Sequence, residues 1–217
     1  MTFRCAAIFL PALALFAGTA PADAETAASI PDPIVVTGRH GPDVLGTATL
    51  SAGVTVYNAR IGRLGREPLG NPAIEALAMP LRGLSPDAMV AGAMREVRAR
   101  VRFTTNIDSA AVSSYWNEAS DTLRRGIGDS DDIAIVEMQV LRAAGFDQDQ
   151  LWLSVGRHRL LGAHTVLFVH TPSGYRMLDA SETAPIDVTG TAPTRFRPIV
   201  SIGFGGAFVH GIRYTAR

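Results

Sequence analysis

Gly128-Asp129-Ser130-Asp131-Asp132 introduces the stretch of the chain with the clearest structural signal. Apolar residues follow it at helical spacing and the pattern stops at Gly145, so the sequence predicts a central helix that begins near Asp131. A hydroxyl between acidic side chains therefore lies where this helix begins. The apolar positions are Ile133, Val136, Val140 and Ala144, with Ala134, Met138 and Leu141 beside them.

Beyond Gly145 the apolar period changes from helical spacing to alternation, which predicts strands. His164 falls on the second of these strands and Asp179 at the end of the third. Helices followed by antiparallel strands are typical of an α+β domain. The predicted strands are residues 151–155, 163–170, 175–179 and 196–202.

An earlier helix is predicted to begin at Ser85-Pro86-Asp87, which combines a capping hydroxyl, a proline whose missing N–H costs nothing there, and an acid at the positive end of the helix dipole. Several arginines share the end of this helix. They are either a docking patch or cations that favour a helix C-terminus on a solvated face. These arginines are Arg95, Arg98, Arg100 and Arg102.

The first 24 residues have the three parts of a secretory signal peptide: Arg4, an apolar run over residues 5–16, and the small-residue site Ala22-Asp23-Ala24. We therefore expect a periplasmic or secreted protein. No later stretch approaches the roughly 20 apolar residues of a transmembrane helix. Because Cys5 is the one cysteine and lies in this leader, we expect a mature chain without disulfides or a cysteine zinc site.

The composition predicts one neutral, monomeric domain. All 20 basic side chains are arginine and they balance 20 acidic ones; cleavage of the leader removes Arg4 and Asp23 and keeps the balance. Neutrality argues against nucleic acid as a partner. The composition of residues 20–46, rich in Pro, Gly, Ala and Thr, predicts an extended segment. We expect residues 25–84 to lead into the domain as such a segment, of uncertain structure, and residues 85–217 to form the domain.

Ser130, His164 and Asp179 follow one another in an order that suits a nucleophile, a base and an orienting carboxylate. Each also has an ordinary structural explanation. Ser130 is a good helix N-cap, His164 alone would more often be a core histidine, and Asp179 alone would begin a turn. The acids beside Ser130 favour the first turn of a helix for dipole reasons.

Residues 116–214 resemble the bacterial transglutaminase-like cysteine peptidases, a papain-like group of secreted or periplasmic proteins. The resemblance implies a papain-like, transglutaminase-like α+β fold in which N-terminal helices pack on an antiparallel sheet. The matching positions are Trp116, Asp121-Thr122-Leu123, the run from Gly126 to Ala134, His164-Thr165-Val166-Leu167, Leu178-Asp179, Phe196-Arg197-Pro198 and Val209-His210-Gly211.

In the family the nucleophile at the position of Ser130 is cysteine, the base matches His164, and the orienting aspartate matches Asp179. A helix N-terminus and a nearby imidazolium lower the pKa of a thiol, whereas a serine hydroxyl is far too weak an acid to gain from the same field. Three more departures surround the site. Ile133 replaces a usual tyrosine, Glu137 a usual lysine, and Ala180 a usual asparagine.

The substitutions favour a degenerate peptidase that keeps a cleft and binds a peptide or protein partner. The alternative is an active hydrolase that cuts peptide or ester bonds with Ser130, His164 and Asp179. A purely structural envelope protein would need no cleft. No cofactor is required, but some adhesin-clipping relatives bind calcium through acids around the nucleophile, and the resemblance places such a site at Asp129, Asp131 and Asp132. Trp116 either walls the cleft or belongs to the core.

Overall fold

The computed structural model of the protein describes residues 41–53, 55–105 and 116–212, and the helices in these ranges precede most of the strands. The predicted signal peptide lies outside the described residues. The helices are α1 (Val56–Gly65), α2 (Pro72–Ala78), α3 (Pro86–Arg100), α4 (Ala119–Arg125) and α5 (Ser130–Ala143). The strands are β1 (Thr47–Ser51), β2 (Arg102–Phe103), β3 (Ile127–Gly128), β4 (Leu151–His158), β5 (Gly162–Thr171), β6 (Gly174–Leu178), β7 (Ile186–Asp187), β8 (Phe196–Gly203) and β9 (Gly206–Ile212).

Seven strands form one antiparallel sheet in the order β1-β9-β8-β4-β5-β6-β7, and β2 and β3 form a separate parallel pair. Strand β5, an inner strand of this sheet, is buried on both faces. Leu167 and Val169 belong to the main core, whereas Val166 and Phe168 belong to a smaller cluster. The predicted α+β class, with helices packed on an antiparallel sheet, is confirmed.

Helix α5 lies at the centre of the domain, as the sequence predicts. Its side chains from Ile133 to Leu141 are all buried, and it contacts α2, α3 and α4 as well as β4 and β5. A helix surrounded in this way is apolar on most of its faces. The position of its first turn is consequently fixed from several directions at once.

The expectation of an extended segment over residues 25–84 is wrong for its described part. Residues 47–81 contain β1, α1, α2 and the 3-10 turn Met79–Leu81. Thr55 and Asn58 form a capping box at the start of α1, and buried side chains of both helices and the turn join the main core. Helices this short are stabilised by tertiary packing more than by their own periodicity, so the sequence pattern is weak. The buried side chains are Ile61, Leu64, Ile74, Leu77, Ala78 and Leu81.

The predicted long elements are present with small shifts at their ends. Strands β4, β5, β6 and β8 overlap the four predicted strands, and α3 begins at Pro86. Ser85 is the N-cap of α3, but its side chain makes no capping hydrogen bond. No helix among the described residues is both long and apolar enough to cross a bilayer.

Candidate active site

The short parallel pair β2–β3 places Ser130 at the start of α5. Phe103 pairs with Gly128, and Thr104 N donates a hydrogen bond of 3.0 Å to Gly128 O. A side chain at position 128 would put its Cβ only 2.7 Å from Asp132 Cβ, so glycine is needed for the chain to turn into the helix here. Two residues later Ser130 is the first residue of α5.

His164 and Asp179 form a buried pair between neighbouring strands. His164 Nε2 lies 2.8 Å from Asp179 Oδ1, and the two residues are 4% and 1% exposed. The backbone N–H and the hydroxyl of Ser181 donate to the same oxygen, each at 2.8 Å. Although burial opposes it, the hydrogen bonds from His164 and Ser181 lower the pKa of Asp179. The carboxylate therefore stays charged and holds the imidazole in one orientation.

Ser130 lies beside this pair but is not hydrogen-bonded to it. Its Oγ accepts a hydrogen bond of 3.2 Å from Thr165 N, and no hydrogen bond joins Ser130 to His164, both of which the structure describes. Because Asp179 occupies Nε2, only Nδ1 of His164 is left to serve a nucleophile. The sequence-based explanation of Ser130 as the helix N-cap is wrong. Asp129 is the N-cap of α5, and its Oδ1 accepts a hydrogen bond of 3.0 Å from Asp132 N.

The three acids around Ser130 have different surroundings. Asp132 accepts from Arg125 through one oxygen at 3.0 Å and from Asn117 through the other at 2.9 Å. Burial raises the pKa of Asp131, with Asp129 and Asp132 adding to the effect and Thr165 opposing it. Within the ranges that the structure describes, no group of three His, Cys, Asp or Glu side chains is arranged to hold a metal ion. Each oxygen of Asp132 already accepts one hydrogen bond.

A cavity of about 430 Å³, here called the cleft, opens beside Ser130. Ser130, His164, Asp129 and Asp131 all line it. Trp116 does so as well, yet it is only 3% exposed and stacks on Tyr57 with ring centroids 5.6 Å apart. Trp116 thus fills both of its predicted roles, as a wall of the cleft and as part of the core.

The three other departures from the family pattern are all buried. Ile133 and Ala180 are apolar and belong to the core. Glu137 is 1% exposed, and neither of its carboxylate oxygens has a hydrogen-bond partner. Burial raises the pKa of Glu137 to about 8, and the nearby negative charge of Asp179 adds to the shift. At neutral pH the Glu137 side chain is therefore mostly uncharged.

Several residues of the site are absent from the sequence-based prediction. Phe103 lines the cleft, its ring centroid 6.2 Å from that of His164. His158 lies on the neighbouring strand with its ring centroid 5.3 Å from that of His164, and its Nδ1 accepts from Leu160 N and Leu161 N. The alternation of apolar residues along β4 predicts the face of the sheet on which His158 lies. It does not predict that His164 is its neighbour. Ser181, two residues after Asp179, is the one member with a local signal, because an aspartate commonly bonds the backbone two residues on.

A profile described as "Bacterial transglutaminase-like cysteine proteinase BTLCP" matches residues 87–196. The match begins upstream of the motifs that carry the sequence resemblance and includes nearly all of α3. A comparison with curated protein sequences found no significant match.

Among solved structures, the chain is similar to LapG of Legionella pneumophila. The calcium-bound form is 22% identical with a TM-score of 0.56, over 70% of this chain and 87% of that one. The EGTA-treated form is 22% identical with a TM-score of 0.57, over 75% of this chain and 90% of that one. At this level of identity the similarity establishes the fold.

Proposed function

The chain belongs to the bacterial transglutaminase-like cysteine proteinase family, and we propose that it is an exported member that binds a peptide in the cleft without efficient catalysis. The observation that carries the proposal concerns the hydroxyl of Ser130, which accepts a hydrogen bond from Thr165 N and makes none to the imidazole of His164. The cleft supplies the space for a peptide. A purely structural protein would leave such a groove filled, and this one has a volume of about 430 Å³.

The chemistry of the hydroxyl supports weak catalysis. A thiolate exists before substrate arrives, because a helix N-terminus and an imidazolium stabilise it. A serine must instead lose its proton during attack, and for that it needs a hydrogen bond to the base in the reacting complex. In this site the base is oriented by Asp179, but the bond from nucleophile to base is missing.

The second candidate function is an active serine hydrolase with the catalytic residues Ser130, His164 and Asp179. It is favoured by the buried bond of 2.8 Å between His164 and Asp179, which is the arrangement that orients a general base. In this mechanism Nδ1 of His164 would take the proton of Ser130 as the hydroxyl attacks the substrate carbonyl, and would later donate it to the leaving group.

Labelling with a fluorophosphonate probe separates the two candidates, since the probe modifies only an activated serine. Wild type and Ser130→Ala are treated side by side and then assayed with peptide and ester substrates. We expect neither protein to be labelled and their turnover to be the same. Labelling and steady hydrolysis that both disappear in Ser130→Ala would establish the hydrolase instead.

The proposed calcium site consists of the two acids that line the cleft, Asp129 and Asp131. Both oxygens of Asp132 are already bonded, so it is left out. Calcium takes about 6–8 oxygen ligands, and backbone oxygens and water would have to supply most of them. The cation would offset the negative charge that helps to raise the pKa of Asp131. Calcium should raise the melting temperature of the wild type and not that of Asp131→Asn; no shift in the wild type would refute the site.

Export follows from the three-part pattern of residues 1–24. Mass spectrometry of the protein from the envelope fraction should find an N-terminus at Glu25. An intact leader on a cytoplasmic protein would refute this part of the proposal.

A further inference from the structure

A second cavity, of about 440 Å³, adjoins the cleft, and Phe103 and Leu161 line both. We call it the side pocket. Its other lining includes the guanidinium-bearing residues Arg98 and Arg102. We propose that the side pocket binds the carboxylate side chain of a Glu or Asp in the peptide that occupies the cleft. The proposal deepens the proposed function and rests on it.

The positive charge of the side pocket is not neutralised by the protein itself. Neither Arg98 nor Arg102 forms an ion pair with any carboxylate in the described ranges. Arg98 Nη1 donates to the backbone oxygens of Ala180, at 3.1 Å, and of Glu182. Those bonds hold the guanidinium in place and leave its charge uncompensated, because carbonyl groups carry no net charge.

Glu137 is a buried acid whose pKa is affected by Arg98, and it does not neutralise the charge of Arg98. Arg98 lowers the pKa of Glu137, but burial and Asp179 outweigh it and the pKa remains at about 8. Glu137 is therefore mostly protonated at neutral pH. Asp179, whose charge also acts on Glu137, is bonded to His164 and Ser181.

The backbone fixes Arg102 relative to Ser130. Arg102 N donates a hydrogen bond of 3.0 Å to Gly126 O, and Arg102 pairs with Ile127 in the β2–β3 pair. That pair runs directly into the first turn of α5. The exposed side chain of Arg102 ends in a planar fork of donors that fits a carboxylate. The pocket's apolar wall, which includes Val101 and Ile133, suits the methylene groups of a Glu side chain.

Fluorescence anisotropy with defined peptides tests the proposal. The probes are fluorescein-labelled Ala/Gly octapeptides in which a single Glu is moved through every position, with a matched series containing Gln. At one position we expect the wild type to bind the Glu peptide about fivefold to tenfold more tightly than the Gln peptide. Arg102→Gln should reduce this preference to less than about twofold.

Arg100→Gln is the matched control, because Arg100 at the end of α3 is exposed like Arg102, two residues away, but does not line the side pocket. It should keep the preference for Glu. Equal loss in Arg100→Gln and Arg102→Gln would indicate bulk charge and overturn the proposal, as would peptide binding with no preference for Glu at any position. If no peptide of either series binds the wild type, the proposed function fails and the side pocket fails with it.

Discussion

At the scale of single residues, the surroundings of Ser130 suit a thiolate, but the residue carries a hydroxyl. Ser130 begins α5 and faces the same cleft as His164. The partial positive charge of a helix N-terminus stabilises an anion at this position. A hydroxyl does not ionise at neutral pH and so gains nothing from it. The surroundings of Ser130 can therefore be tested separately from its chemistry by restoring the thiol.

We predict that Ser130→Cys will carry a thiol with a pKa clearly below the value of about 8.5 for free cysteine. The rate of alkylation by iodoacetamide as a function of pH measures it, in protein purified without the leader so that the new thiol is the only one. Ser85→Cys is the control, because Ser85 is the N-cap of α3 and does not line the cleft that holds His164. A Ser130→Cys thiol that titrates like the control would mean that the pair at His164 contributes nothing.

Glu137 makes the stability of the protein depend on pH between about 4.5 and 8. Its folded pKa of about 8 lies above the ordinary 4.5, so its contribution to stability is fully present below about pH 4.5 and is lost as the pH rises through 8. Glu137→Gln keeps the shape of the side chain and removes the titration. We predict that its melting temperature exceeds that of the wild type by about 4 °C or more at pH 8, and that the two converge near pH 4.5.

Calorimetry at both pH values gives the comparison for Glu137→Gln. Glu75→Gln is a control, because Glu75 is partly exposed and bonded to Arg82, so its replacement should not produce a difference that grows between pH 4.5 and 8. A constant offset between wild type and Glu137→Gln at all pH values would show that the buried carboxyl does not titrate in this range.

The residues of the site were predictable from the sequence to different degrees. The sequence predicted Ser130 at the start of a helix and His164 and Asp179 on two strands. The structure brings all three to one end of the domain. The bond from Thr165 N to Ser130 could not be predicted, because it depends on the distance between a helix and a strand 35 positions apart. For the same reason, the sequence did not reveal that Asp132 is held by Asn117 and Arg125.

At the scale of elements, one hydrogen-bonded network ties four strands together. His210 on β9 bonds Thr47 on β1 through Nδ1 and Ser201 on β8 through Nε2, each at 2.7 Å. Ser201 in turn donates to Ser154 on β4 at 3.0 Å. Burial lowers the pKa of His210 to about 4, so the ring is neutral in the folded state at physiological pH.

The network predicts a sensitivity to acid. Because the folded pKa of His210 lies below the ordinary 6.5, its contribution to stability is present above pH 6.5 and is lost as the pH falls through 4. His210→Gln should destabilise the protein by about 1–3 kcal/mol at pH 7, through lost buried hydrogen bonds. The gap to the wild type should narrow between pH 6.5 and 4 in urea unfolding curves.

His170→Gln is the control for the acid test, since His170 is exposed on β5 and its replacement should leave the pH dependence unchanged. If the gap between wild type and His210→Gln stays constant from pH 7 to pH 4, His210 does not account for the acid sensitivity.

The elements that the sequence revealed have long and regular apolar patterns, whereas α1, with ten residues but only Ile61 and Leu64 buried, does not. Helix α5 and strands β4 and β5 each run for eight residues or more with a consistent period. Helices α2 and α4 have seven residues each, and β2 and β3 have two. Such short elements form because the surrounding core holds them, and the contacts responsible are distant in sequence.

At the scale of the whole molecule, the residues before α3 belong to the domain and do not merely lead into it. Leu64 O accepts a hydrogen bond of 2.7 Å from Gln139 on α5, and Glu67 accepts from Ala119 N and Ser120 N at the start of α4. Glu67 also accepts from Gln139 at 2.8 Å. Residues 55–81 thus provide both apolar packing and buried polar partners for the helix that carries Ser130.

We therefore predict that a chain beginning at residue 85 will not fold, whereas one beginning at residue 41 will. Among the side chains that the shorter chain lacks are five large ones buried in the main core, Ile61, Leu64, Ile74, Leu77 and Leu81. Each is worth about 1.5–3 kcal/mol, and together they approach the 5–15 kcal/mol by which a typical domain is stable. It would also lack Leu64 O and Glu67, which accept hydrogen bonds from the side-chain amide of Gln139 on α5. Near-UV circular dichroism and thermal unfolding of both chains measure the difference. A cooperative transition in the shorter chain, close to that of the longer one, would restore the boundary at residue 85 and make α1 and α2 an addition to an independently stable domain.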